Sequence, residues 1–114
     1  MKKINLHIGG QYRDFYFGLG FLGRLLDETN TDMSDFDRLR TANPFKWIPL
    51  MMFHSCSYGY IREGKEPDFT LQDVTNWIDE TDVSILQSFN TAFVNSLIKD
   101  VPTQPETKKK VTEK

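Results

Sequence analysis

Cysteine is almost absent. Cys56 is the only one in 114 residues, so no intramolecular disulfide can staple the chain, and the composition suits a reducing compartment. An excess of either charge is missing as well. Fourteen Lys and Arg against sixteen Asp and Glu leave a formal net charge of −2, which argues against phosphate-backbone binding as the main activity. No apolar run approaches the roughly 20 residues that a bilayer crossing needs, and the first residues show no signal-peptide core. The chain therefore reads as soluble and intracellular, with neither nucleic acid nor membrane as a partner. Hydrophobic residues amount to only 39%, and one domain must be built from them. Much of the core volume has to come from nine Phe, four Tyr and two Trp.

What is present is patterned for packing. Between Phe69 and Leu97 two amphipathic segments follow each other closely. Thr70 and Asp73 have the spacing of a capping box, with Asp in place of the usual Glu or Gln. Leu71, Val74, Trp77 and Ile78 then fall on one helical stripe. Ile85, Leu86, Phe89, Phe93 and Leu97 form a second stripe over about three turns. The polar link Asp79 to Asp82 is short, which predicts an αα-hairpin with the two helices packed on each other.

At the other end, Ile4, Leu6 and Ile8 alternate with polar residues and precede Gly9-Gly10, which predicts a β-hairpin over about residues 4–17. A two-residue loop sets Ile4 opposite Phe15 and Leu6 opposite Arg13. A four-residue loop sets Ile4 opposite Phe17 and Leu6 opposite Phe15. Both keep the apolar residues on one face, whereas a three-residue loop would place Leu6 against Asp14. Gly18-Leu19-Gly20-Phe21-Leu22-Gly23 spells G-x-G-x-x-G, but the preceding strand belongs to an antiparallel hairpin and no parallel βαβ unit follows. It reads as a turn into a helix whose buried stripe is Leu19, Leu22, Leu25 and Leu26. Residues 28–34 read as a loop, with Ser34 or Asp35 capping a short segment through Arg40. Pro49 should interrupt any helix begun at Pro44. A single turn from Pro44 and a main helix from Pro49 to near Gly64 are expected, apolar on more than one side and hence central. The expected fold is mainly α: a small helical domain over 1–100 with an N-terminal antiparallel hairpin, and a flexible, disordered tail over 101–114. That tail carries four Lys against two Glu, leaving −4 on the rest.

Residues able to do chemistry are sparse. His54 and Cys56 are the only neighbouring soft ligands; a structural zinc site needs four, and residues two apart on a helix face different ways. Ser55 and Ser57 flank them without a nucleophile-elbow motif. Asp73, Asp79, Glu80 and Asp82 lack the spacing of a calcium loop. Lys108 to Lys110 have no interleaved aromatics to suggest a nucleic-acid surface. The sequence therefore points to no catalytic residues, no metal site and no cofactor.

The Ile4 to Gly10 hairpin, the Phe17-Gly18-Leu19 lead-in to a helix, the apolar central helix, the Phe69 to Asp79 segment and the Phe89 to Leu97 helix together resemble the tail assembly chaperones of long-tailed bacteriophages. The likeness spans about residues 4–98 and is one of element order. It implies a non-enzymatic protein of the host cytoplasm, absent from the mature virion, which coats the tape measure protein and helps recruit tail tube protein subunits. It also implies a longer frameshifted product, for which the codons of Lys108 to Lys110 are the candidate slippery site. The hairpin, with its free strand edges, is the expected contact for a homo-oligomer. Phe15, Phe17, Phe21, Trp47, Phe53, Tyr58 and Trp77 are the expected partner-binding residues, with core packing the competing assignment for each. The rival assignments are another phage or prophage tail structural protein, such as a completion or connector subunit, and a host helical adaptor module.

Overall fold

The structure is a computed structural model and describes residues 2–100, with side-chain surroundings over 3–96. The expected tail and its lysine triplet lie outside the described residues. Strands β1 (Lys2–Ile8) and β2 (Gln11–Phe17) form the predicted antiparallel hairpin. Ile4 faces Phe15 and Leu6 faces Arg13, the register of the two-residue loop. Gly9 and Gly10 take φ of +67° and +83°, which such a turn demands and which residues with a Cβ adopt only with strain. Leu6, Ile8, Phe15 and Phe17 are buried on one face. Arg13 shares that face without breaking it. Its guanidinium lies 3.8 Å from the Trp77 ring centroid, and its Nε donates to the Ile8 carbonyl at 3.0 Å. The charge thus gains a π face and a carbonyl in place of water.

Five helices follow: α1 (Leu19–Thr29), α2 (Met33–Ala42), α3 (Pro44–Arg62), α4 (Leu71–Glu80) and α5 (Val83–Asp100). Helix α3 is the centre, in contact with β2, α1, α2 and α4, and residues on more than one side of it are buried, from Trp47 to Gly59. Pro49 does not divide it. The amide that proline lacks would have bonded the Phe45 carbonyl, and Phe45 is almost wholly exposed, so water can serve that oxygen. One helix therefore runs through the position where a break was expected. Helix α1 departs from expectation in part: Leu25 is buried as expected, but Phe21 is buried beside it and Leu19 points to solvent. It extends to Thr29, so the loop is shorter than predicted, and α2 begins at Met33 with Asp32 at its N-cap.

The capping box is present in both directions. Asp73 donates its backbone N–H to Thr70 Oγ1 at 3.1 Å, and Thr70 donates its own to Asp73 Oδ2 at 2.9 Å. The αα-hairpin is not formed as predicted. Helix α4 packs on α3 and α5 packs on β1, with little contact between the two. The aromatic side chains explain this. Phe89 and Phe93 of α5 meet Phe17 edge-to-face at 5.3 and 5.8 Å, whereas Trp77 of α4 is engaged by Arg13 and by Phe69. Each helix is drawn to a different part of the hairpin. Phe21 and Phe36 close the cluster over Phe93 at 6.1 and 6.0 Å. Each buried Phe contributes about 1.5–3 kcal/mol, and with Phe15, 5.6 Å from Phe89, this one cluster holds six of them together. No helix among the described residues is long and apolar enough to cross a membrane.

Candidate functional site

The seven aromatic residues expected to bind a partner do not form one surface. Phe15, Phe17, Phe21 and Trp47 are buried in the core, which corrects the expectation that Phe21 and Trp47 are left exposed and removes Phe15 and Phe17 of the hairpin from the free surface. Trp77 is half-buried against the hairpin turn, where a Cβ on Gly9 would come within 2.7 Å of the indole. Tyr58 is half-buried across α1, its ring filling the space that a side chain at Gly20 would need. Phe53 packs edge-on to Phe69 at 5.9 Å and keeps part of its ring accessible.

The accessible carbon surface lies elsewhere, in two grooves on either side of α2. The larger, about 620 Å³, runs between α1, the start of α2 and α5; Phe17, Phe21 and Phe93 form its floor, and Leu22 and Leu26 its α1 wall. Leu19 (87% exposed) and Met33 (49%) stand at its rim. The second, about 410 Å³, lies between the start of α3 and α5, with Trp47 and Met51 lining it. Its rim carries Phe45 (91% exposed) and Val83 (67%). Phe36 separates the two, wedged between Trp47 at 5.5 Å and Phe93 at 6.0 Å. Three of the predicted residues thus reach a groove, but as floors. The rim residues were missed by sequence reasoning. A usable signal existed for Phe45, which sits two residues before Trp47 and so on another side of the helix from the buried Trp47–Met51 pair.

A smaller cleft of about 320 Å³ lies on the other flank of α1, against α3. His54 and Ser57, one turn apart on α3, face into it, and Arg24, Asp27 and Glu28 of α1 line the opposite wall. His54 Nε2 lies 2.9 Å from Glu28 Oε1, so the carboxylate is the group that faces the buried nitrogen. Burial lowers the His54 pKa, the Glu28 carboxylate opposes that shift, and Arg24 adds to it. Ser57 Oγ is buried without a partner. The other buried serines, Ser55 and Ser96, donate back to the carbonyls of Met52 and Phe93. A buried polar group left unpaired costs about 1–3 kcal/mol.

Cys56 lines a different cleft, beside β2, so His54 and Cys56 face away from each other and share no ligand site. Burial pushes the Cys56 thiol up to about 12, far from the range in which a thiolate attacks or ligates at neutral pH. Among the described residues no three His, Cys, Asp or Glu side chains converge as metal ligands. The hairpin leaves one backbone edge of each strand without a strand partner among the described residues. In comparisons with known proteins, no family model, no curated protein and no solved structure matches the chain.

Proposed function

We propose that this protein is a tail assembly chaperone of the long-tailed phage type, which covers the apolar stripes of the tape measure protein and helps to recruit tail tube protein subunits. The observation that carries this reading is the pair of apolar grooves flanking α2, with Leu19 and Met33 at the rim of one and Phe45 and Val83 at the rim of the other. A long helix with exposed apolar residues aggregates unless they are covered, and grooves of this kind take one face of an amphipathic helix. Many weak contacts of this sort along one client hold through multivalency and still release one at a time as the tube grows. The open edges of β1 and β2 are the proposed contacts between copies of the chaperone, because an unpaired strand edge is a template for another strand. Action in the host cytoplasm and absence from the finished particle follow from a contact that must be given up.

The test is co-expression with the tape measure protein. Leu19→Asp and Phe45→Asp leave the core untouched and place a charge at each groove rim. Each is expected to lower co-purification of the client about tenfold, the effect of losing roughly 1.4 kcal/mol of contact. Unchanged co-purification in the double variant, or the protein held stoichiometrically in purified particles, overturns the proposal.

A further inference from the structure

The cleft between α1 and α3 has a chemistry that the apolar grooves lack. Two polar atoms lie at its base in side chains only 7% and 5% exposed: His54 Nε2, which faces Glu28 Oε1 at 2.9 Å, and Ser57 Oγ, which has no hydrogen-bond partner. On a helix, a serine hydroxyl ordinarily donates to the carbonyl three or four residues back, as Ser55 and Ser96 do here. Ser57 does not, and its side chain lines the cleft. Above these atoms the α1 wall offers two carboxylates, Asp27 and Glu28, against one guanidinium, Arg24. The remaining walls are carbon: Phe53, Ile61 and Pro67.

We infer that this cleft binds an alkylammonium group, with the charged nitrogen between Glu28 and Ser57 Oγ and its methylene stem against Phe53, Ile61 and Pro67. An ammonium has three donors and no acceptor, so it needs oxygen acceptors on several sides, and Glu28, Asp27 and Ser57 supply them. A lysine side chain also needs an apolar surface for its stem, which the three carbon walls provide. An anion is the poorer fit, because it would meet Arg24 only at the cost of facing both carboxylates. With burial keeping His54 neutral, the histidine adds no positive charge to repel the ligand. The same chemistry is carried by a lysine of a partner polypeptide and by a free diamine. The inference is independent of the chaperone reading, since it uses neither groove.

The test is titration of the full chain at pH 7.5 with N-acetyl-lysine amide, followed by backbone amide NMR. Three further probes are N-acetyl-norleucine amide, which keeps the stem and drops the charge, acetate, and putrescine. Lysine amide is expected to shift the resonances of residues around Glu28 and Ser57, and norleucine amide to bind about tenfold more weakly or not at all. Glu28→Gln and Ser57→Ala should each weaken lysine amide about tenfold, with each variant's amide spectrum confirming that it is folded. Tighter binding of lysine amide than of putrescine supports a polypeptide source, and the reverse supports a free amine. Equal binding of norleucine amide, acetate shifting the same resonances more strongly, or no response to either amine overturns the inference.

Discussion

The two flanks of α1 carry opposite chemistries on a single helix of eleven residues. Leu19, Leu22 and Leu26 line the apolar groove on one side, while Arg24, Asp27 and Glu28 line the polar cleft on the other. Between them Phe21 and Leu25 are fully buried. The three sets follow from the 3.6-residue repeat, which returns residues three and four apart to the same side. The groove is carbon against carbon, so it favours any apolar face of the right shape and imposes little direction. The cleft has an unpaired buried hydroxyl and fixed charges, so it discriminates by charge and hydrogen bonding. One helix can therefore serve a permissive contact and a selective one.

The comparison breaks most severely at the buried side chains that anchor α1 between its flanks. Phe21→Ala removes the side chain between them and should destabilise the protein by about 3–5 kcal/mol, measured by urea unfolding; a loss under about 1 kcal/mol would mean that α1 is not anchored as described. A smaller effect sharpens the polar side alone. Ser57→Ala deletes a hydroxyl without a partner and is expected to raise stability by about 1 kcal/mol, seen as a higher urea midpoint. A destabilised Ser57→Ala protein would show that the hydroxyl is satisfied in the free chain.

The pH dependence separates the flanks again. His54 is held neutral by burial and has a lowered pKa in the fold, so between the folded value and about 6.5 the unfolded chain binds more protons. Its contribution is complete above about 6.5 and is lost as pH falls through that window. The groups facing it are Glu28, which favours the proton, and Arg24, which opposes it. Urea unfolding at pH 7.5 and pH 5.0 should show this loss in the natural chain and less of it in His54→Gln; equal losses would place the titration elsewhere. The smallest stability effect belongs to the apolar side. Leu19→Asp changes a residue that is already in water, so the urea midpoint should move by no more than about 0.5 kcal/mol equivalent. A large shift would mean that the groove rim is already covered in the isolated chain.

Local patterns were legible wherever a short-range rule decides the outcome. The hairpin, the capping box at Thr70 and Asp73, and the stop of α3 before Gly64 each depend on neighbours within a few residues. The misreadings share a cause. Pro49 was expected to start a helix, but whether its missing hydrogen bond matters depends on the exposure of Phe45, which is a tertiary property. The αα-hairpin followed from a short polar link, yet the chain turns away because Phe89 and Phe93 find Phe17, and Trp77 finds Arg13. Phe15, Phe17, Phe21 and Trp47 are buried for the same reason: large rings are the first groups a small core takes in.

By itself, then, the order of residues determined the mainly helical class, the N-terminal hairpin and the apolar helix that stops before Gly64, because periodicity, glycine geometry and helix capping act within a turn or two of the backbone. Only the tertiary structure decided which apolar side chains remain in water, and that Ser57 and His54 share a cleft with Glu28. Burial is settled by what packs on a residue from far along the chain, and a hydroxyl becomes unpaired only when its neighbours exclude water without offering an acceptor.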